Sequence, residues 1–284
     1  MNANKGTQLS SRIAAIQMTS GPEVGPNLET AGRLIAEAAA QGAKLVALPE
    51  YFPFIGASDE ARFAAREVFG CDATSGPIQD FLSSAARKHG VWIVGGSLPL
   101  DCGDPAKLLN TCLVFDDQGK QIARYDKIHL FAFRKGTEEY NEARTIQPGT
   151  GVVAFDSPFG RIGLGICYDL RFPELFRQAG AEKPIDLFIL PAAFTETTGK
   201  AHWEILLRAR AIENLCYVMA PAQGGRHPTG RMTHGNTMII DPWGEIMARL
   251  DKDIGVIVAD ITPDRIAKVR SNLPALEHAV LLKR

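Results

Sequence analysis

Short apolar runs rich in β-branched residues alternate with amphipathic stretches along the chain, and this alternation limits the possible folds more than any other feature. Residues 13–18 read as a buried strand followed by a Gly-Pro loop. Over 26–41, Leu28, Ala31, Leu34, Ile35 and Ala38 make one apolar stripe at helical spacing. Pro26 sits at the start of that helix and Gly42 is placed to end it. Residues 45–48 form the next strand and run into Pro49-Glu50-Tyr51; the helix pattern returns over 77–89, stops at Gly90, and gives way to a strand at 91–94. The middle of the chain changes character. Residues 111–115 and 121–125 flank the turn Asp116-Asp117-Gln118-Gly119 as a hairpin. Strands follow at 161–166, 187–190 and 217–220, with helices opening at 173–178 and spanning 202–215. A second hairpin turns at Asp241-Pro242-Trp243-Gly244 after a strand at 237–240, and a late strand covers 255–260. Helical crossovers combined with hairpins imply α/β layers with mixed rather than purely parallel sheets. No Pro/Gly/Ser-rich linker divides the chain, so one domain over 12–284 is expected behind a flexible tail at 1–11.

With 284 residues and 45 % apolar content, the chain has enough material for a substantial core. Lys plus Arg number 31 against 32 for Asp plus Glu, a net charge of −1. Nucleic acid and anionic membrane both demand a basic surface, so neither is expected as a partner. The amino terminus carries Lys5 without the apolar stretch of a secretory signal, and no run reaches the ~18 apolar residues of a membrane span. The five cysteines (71, 102, 112, 167 and 216) are scattered, with no Cys-x-x-Cys pair. That pattern argues against a disulfide framework or a structural zinc site and fits a reducing cytoplasm, in which a reactive thiol persists.

Three residues could do chemistry. Cys167 ends the apolar run Ile162-Gly163-Leu164-Gly165-Ile166 and precedes Tyr168-Asp169-Leu170-Arg171-Phe172-Pro173. A sharp strand-to-helix turn there would lift the thiol out of the sheet and aim nearby backbone N–H groups at whatever it attacks. Free cysteine is also among the most buried residue types, so position alone does not assign the role. Glu50 follows the strand Leu45-Val46-Ala47-Leu48, where open sheets place their ligands. Lys127 stands between a hairpin strand and an apolar patch, in Tyr125-Asp126-Lys127-Ile128-His129-Leu130-Phe131. Singly, the last two read as an ordinary loop acid and a surface lysine. Together they supply acyl transfer: Glu50 takes the thiol proton and returns it to the amine, while Lys127 and a backbone N–H after Cys167 hold the oxyanion. No metal or cofactor is needed.

With these three segments in this order, the sequence resembles the nitrilase superfamily of carbon–nitrogen hydrolases, known for a Glu-Lys-Cys triad. The likeness runs from the first strand to Asp260. Ala201-His202-Trp203-Glu204 through Glu213-Asn214, together with Asp241-Pro242-Trp243-Gly244, resembles the Nit-type amidases, and Gly225-Arg226-His227 points to the branch acting on deaminated glutathione. The resemblance implies an α-β-β-α sandwich with mixed sheets, dimerising through helices of two subunits. It implies a small linear amide as substrate and a thioester intermediate, with deaminated glutathione giving 2-oxoglutarate and cysteinylglycine. ω-Amidase action on 2-oxoglutaramate is the neighbouring option, and a nitrilase a more distant one. It also implies a second glutamate beside the lysine, matched by Glu142, although Glu138 and Glu139 stand close by in sequence. Tyr168, Arg171 and Phe194 are candidate substrate contacts. The stretch 132–141 departs from the family, where an Asp often follows His-Leu-Phe, and this bears on substrate identity.

Other readings carry less. His129 fits a buried structural histidine better than half of a Cys-His pair, and the papain-like local signature is absent. Gly160, Gly163 and Gly165 lack dinucleotide-loop spacing. Trp203, Leu206, Leu207 and Ile212 fit a helix core. Arg171 and Arg208 could bind a substrate carboxylate or pair with neighbouring acids. A non-catalytic dimeric scaffold is the competing class, opposed by the intact Glu50, Lys127 and Cys167.

Overall fold

The computed structural model describes residues 10–56, 58–70, 76–136 and 138–281. Cys71 and residues 1–9 of the expected tail lie outside the described residues, and Ser11 already belongs to the first strand. The first half of the chain contributes β1 (Ser11–Gln17), α1 (Val24–Ala40), β2 (Leu45–Ala47), α2 (Asp59–Ala64) and α3 (Pro77–His89), then β3 (Trp92–Val94), β4 (Leu98–Asp101), β5 (Leu108–Phe115) and β6 (Gln121–Asp126). A small hairpin follows, β7 (Ala132–Lys135) and β8 (Glu138–Asn141). The second half contains β9 (Ala154–Ser157), β10 (Gly160–Leu164), α4 (Pro173–Ala179), β11 (Leu187–Ile189), α5 (Glu196–Asn214) and β12 (Tyr217–Ala220). It ends with β13 (Gly224–Arg226), β14 (Met232–His234), β15 (Thr237–Ile240), β16 (Ile246–Leu250), β17 (Gly255–Ile261) and α6 (Pro263–Asn272).

Two mixed sheets form the centre. One has the order β17-β1-β2-β3-β5-β4 with β6 added on β5, and the other the order β16-β15-β12-β11-β10-β9. Each is built on three parallel strands, β1-β2-β3 and β10-β11-β12, extended on both sides by antiparallel partners. Side-chain alternation sets the layers. In β1, Ile13 and Ala15 face the second sheet, packing in one cluster with Leu164 and Ile189. Ala14 and Ile16 face the other way, onto Leu34 and Ile35 of α1 and Leu82 of α3. Beyond the second sheet, Phe176 of α4 and Trp203, Leu207 and Ala211 of α5 close the core. Strands buried on both faces read as continuous apolar runs, which is why they were legible as runs rather than as alternations. The result is the expected α-β-β-α sandwich.

Helix α5 starts six residues before the expected 202, at Glu196. Thr195 caps it by accepting the Thr198 N–H, and Gly199 is tolerated within the helix because the His234 ring packs where its side chain would be. Within 132–141, read only as a variant loop, Ala132–Lys135 and Glu138–Asn141 pair as β7 and β8. The short strands β4, β9, β13 and β14 and the helices α2 and α6 carried no periodic signal long enough to read.

Two glycines bring the sheets' ends to the right depth. A Cβ on Gly96 would press into the carbonyl oxygen of Pro49, and its φ of 55° is unfavourable for any other residue. A Cβ on Gly149 would press into the carbonyl oxygen of Asp126. These carbonyls immediately precede Glu50 and Lys127. Gly96→Ala and Gly149→Ala are each expected to destabilise by about 1–3 kcal/mol, since backbone must move to admit the methyl. Gly25→Ala, in α1 with open space around it, is expected to be neutral or slightly stabilising. Urea unfolding of the three variants checks this, and equal effects at all three positions would contradict it.

Candidate active site

Three strand ends converge at one edge of the sandwich. Glu50 follows β2 through Leu48-Pro49, Lys127 directly follows β6, and Cys167 follows β10 through Gly165-Ile166. Cys167 opens a 3-10 turn, Cys167–Arg171, with a left-handed φ of 49°, and Tyr51, just after Glu50, has φ 51°. Side chains other than glycine rarely adopt this backbone, and it persists only where surrounding bonds hold it. Those bonds are present. Cys167 N–H donates to Pro191 O at 2.8 Å, and Tyr51 N–H to Ser97 Oγ at 3.0 Å. Arg210 of α5 reaches the turn from behind, its Nη2 donating to Leu170 O at 2.7 Å.

Asp169, fully buried, ties the turn to the lysine's strand. Its Oδ2 accepts from Ile166 N–H at 2.8 Å and from the Tyr125 hydroxyl at 2.7 Å. Its Oδ1 accepts from His129 N–H at 3.1 Å and lies 2.7 Å from His129 Nδ1. His129 is part-buried, and its ring stacks on Phe172 with centroids 3.7 Å apart. The histidine is structural, as expected, though not wholly enclosed.

The charges meet at Lys127. Its Nζ donates to Glu50 Oε1 at 2.9 Å and to Glu142 at 3.0 Å (Oε1) and 2.8 Å (Oε2). Glu142 also accepts the Phe131 N–H at 2.8 Å, so the root of the β7–β8 hairpin is bound to the lysine's partner. Glu138 and Glu139 are elsewhere: Glu138 accepts from Thr197 Oγ1 at 2.9 Å, and Glu139 pairs with Arg134 and Arg144. Both carboxylate oxygens of Glu50 are engaged. Oε1 accepts Lys127 and Asn110 Nδ2 (2.9 Å), and Oε2 accepts Ala193 N–H (2.9 Å).

Glu50, Glu142 and Cys167 line one small cavity with Phe131, Tyr168, Phe194 and Arg231. Its volume is about 20 Å³, room for about one water. The guanidinium carbon of Arg171 stands 5.9 Å from the Tyr168 ring centre and 5.5 Å from that of Phe194, with Nη1 3.2 Å from His202 Nδ1; it pairs with no acid among the described residues. Arg208 does pair with Glu204 and is remote from the cavity. A larger hollow between Phe159 and α6 contains Asp186 and Arg270, but these neutralise each other. No grouping of His, Cys, Asp and Glu among the described residues has the arrangement of a metal site.

A carboxylate bound to an ammonium and sharing one cavity with a cysteine at sheet ends is the arrangement a carbon–nitrogen bond hydrolase requires, and the family profile of carbon-nitrogen hydrolases matches residues 12–271. The chain belongs to that family. It is 44 % identical over 273 residues to a deaminated glutathione amidase of Synechocystis, covering 95 % of this chain and 98 % of that one. It is 37 % identical to the omega-amidase NIT2 of Homo sapiens, covering 93 % and 92 %. Among solved structures, Nit3 of Saccharomyces cerevisiae, a member of the nitrilase superfamily, superposes with a TM-score of 0.84 at 31 % identity, covering 96 % and 97 %. The protein is a hydrolase of the amidase kind, with the nitrilase-superfamily fold.

Electrostatics set the protonation of this hydrolase's cluster. Burial works against the Lys127 ammonium, but Glu142 and Glu50 outweigh it and hold its pKa well above the ordinary lysine range. Burial also works against ionised Glu50, yet the charge and hydrogen bond of Lys127 keep its pKa below the usual value. Cys167 is pushed well up, by burial and then by the Glu50 charge. The resting site is therefore carboxylate, ammonium and neutral thiol. Motif reading missed Asp169, Asn110 and Arg231 as parts of this site. Asp169 stood inside a quoted motif, and its signal was an acid placed in an otherwise apolar turn.

The two pKa shifts make opposite pH statements. A lowered carboxylate pKa stabilises fully above the unfolded value and is lost as pH falls through the folded one. A raised ammonium pKa stabilises below its unfolded value and is lost as pH rises through the folded one. The contribution is thus level between about pH 5 and 10 and declines on either side. Glu50→Gln is expected to flatten the acid-side decline in unfolding free energy, measured by urea titration at several pH values. Lys127→Met, which leaves buried Glu50 uncompensated beside part-buried Glu142, is expected to destabilise by about 3–5 kcal/mol at pH 7.

Proposed function

We propose that this protein is a cysteine amidase whose catalytic residues are Cys167, Glu50, Lys127 and Glu142. Cys167 Sγ attacks the amide carbonyl while Glu50 takes the thiol proton, which suits a thiol that is neutral at rest. Lys127 and the Tyr168 N–H, which has no acceptor among the described residues, hold the oxyanion of the tetrahedral intermediate. The amine leaves with the proton from Glu50, and a thioester to Cys167 remains. Glu50 then takes a proton from water as its oxygen attacks the thioester carbon; the C–S bond breaks, Glu50 returns the proton to the departing sulfur, and the acid product and neutral thiol are released. Glu142 fixes and partly neutralises Lys127. The observation that carries this reading is a Glu50 carboxylate bound to Lys127 that lines one cavity with the Cys167 thiol.

Deaminated glutathione is the substrate we favour, supported by the 44 % identity to an amidase of that name. Identity to an omega-amidase supports 2-oxoglutaramate as the second reading, and both amides would leave the same 2-oxoglutaryl thioester. Tyr168 and Phe194 would flank the acyl chain in the cavity, with Arg171 outside the rings. We read residues 12–284 as one domain of a cytoplasmic homodimer needing no cofactor. The dimer reading draws support from Ile205 and Ile212 of α5 and from Trp243, which are 70 %, 45 % and 52 % exposed.

Cys167→Ala and Glu50→Gln are each expected to lower kcat/KM by about 10³-fold or more with unchanged circular dichroism. Intact-mass analysis of a rapidly quenched wild-type reaction is expected to find a 2-oxoglutaryl adduct on Cys167. The ratio of kcat/KM for deaminated glutathione over 2-oxoglutaramate is expected to exceed one; a clear reversal moves the assignment to ω-amidase. Light scattering is expected to give twice the chain mass, and Ile205→Glu with Ile212→Glu to give a monomer.

A further inference from the structure

Asn110 stands in β5, a fully buried strand of mostly apolar residues. Its side-chain amide is only half used. Nδ2 donates to Glu50 Oε1 at 2.9 Å, while Oδ1 is buried without a partner among the described residues. An unmet carbonyl in a dry interior is unfavourable, and an apolar side chain of similar size would avoid it. Strand pairing does not need the amide either, because the Lys127 N–H bonds the backbone oxygen of Asn110. The reversed amide would set Oδ1 against Glu50 Oε1, two acceptors face to face. What the side chain supplies is therefore one donor to one carboxylate oxygen.

Each carboxylate oxygen has two lone pairs to offer. Oε1 fills both, with Lys127 Nζ at 2.9 Å and with Asn110 Nδ2. Oε2 accepts the Ala193 N–H at 2.9 Å, which leaves it one lone pair. Position agrees with this count. Ala193 lines the cavity with Glu50 and Cys167, whereas Asn110 and Lys127 are behind its wall. The remaining lone pair is thus on the oxygen held from the cavity side, and the other oxygen is saturated. The further charged and titratable groups around Glu50 are Glu142 across Lys127, Arg231, Cys167 and Tyr51; none of them donates to Oε1.

We propose that Asn110 is a positioning residue: by occupying Glu50 Oε1 together with Lys127, it makes Oε2 the oxygen that carries the proton through both halves of amide hydrolysis. The S–H proton passes to Oε2 as sulfur bonds the carbonyl carbon, and from Oε2 to the amine as the C–N bond breaks. Water then gives a proton to Oε2 as its oxygen attacks the thioester carbon, and that proton returns to sulfur as the C–S bond breaks. Without Asn110, a proton taken up on Oε1 sits on the lysine's side, away from sulfur and amine. The assignment rests on the hydrolysis at Cys167 proposed above. It differs from a packing role, in which loss of the amide slows the reaction equally at every pH.

Asn110→Leu separates the two. Losing a hydrogen bond to the charged form raises the pKa of Glu50. The acid limb of kcat/KM, on whichever of deaminated glutathione and 2-oxoglutaramate wild type hydrolyses faster, is expected to move up by about one pH unit. A base strengthened in this way would work faster if its proton were still steered. Plateau kcat is instead expected to fall about tenfold, with KM changed by less than about twofold. A second readout needs no turnover. Glu50 has a lower pKa folded than unfolded, so its stabilisation is lost as pH falls between the two values, and raising the folded one narrows that interval. Asn110→Leu is therefore expected to shrink the acid-side decline in urea unfolding free energy, and to leave that decline unchanged when added to Glu50→Gln. Asn110→Ser, one atom too short to reach Oε1, carries both readouts if circular dichroism shows the leucine variant unfolded. An unmoved acid limb, a plateau kcat that stays or rises, or an equal effect in the Glu50→Gln background overturns the proposal. If wild type hydrolyses neither amide, the amidase reading of Cys167 fails instead, while the unfolding measurement still decides whether Asn110 acts on Glu50.

Discussion

A buried ammonium held between two carboxylates organises this protein. Lys127 is almost completely enclosed, and a lysine there is tolerable only because Glu50 and Glu142 both reach its Nζ. Each partner brings a separate piece of chain: Glu50 the first sheet's parallel strands, Glu142 the root of the β7–β8 hairpin. The lysine therefore acts as the point against which Glu50 and the root of the hairpin are positioned. The same contacts that make its burial possible keep the ammonium charged and Glu50 ionised, while burial and the Glu50 charge keep the Cys167 thiol neutral.

The glycines show how little freedom that arrangement leaves. Gly96 lets backbone pass close to Pro49, and Gly149 lets it pass close to Asp126, each one residue before a member of the cluster. Neither touches the reacting groups. Their contribution is the depth at which Glu50 and Lys127 emerge from their strands, and a displacement of that size matters where hydrogen bonds of 2.9 Å must be met at several atoms at once.

Much of this architecture was legible because the elements that matter most are long or wholly apolar. The helix at Pro77–His89 and the strand at Tyr217–Ala220 have the expected bounds, since Gly90 ends one and apolar β-branched character marks the other. The cluster of Glu50, Lys127 and Cys167 was legible through motif order. Glu142 was separable from Glu138 and Glu139 only by the way the hairpin folds, because sequence distance does not say which of three nearby acids turns inward. Asn110 and Arg231 escaped for a related reason: their relevant contacts, with Glu50 and Ala193, span 60 and 38 residues and leave no local pattern. The start of α5 was hidden by Gly199, whose poor helix propensity is overruled by the packing of His234.

Asp169 has a mechanical consequence. One carboxylate grips the backbone beside the thiol, the hydroxyl of Tyr125 on the facing sheet and the amide of His129. Nucleophile and cation are thereby mounted on a common bracket. The two sheets cannot part at this edge without tearing a buried carboxylate from donors on both, so the one-water chamber lies where the layers are riveted together.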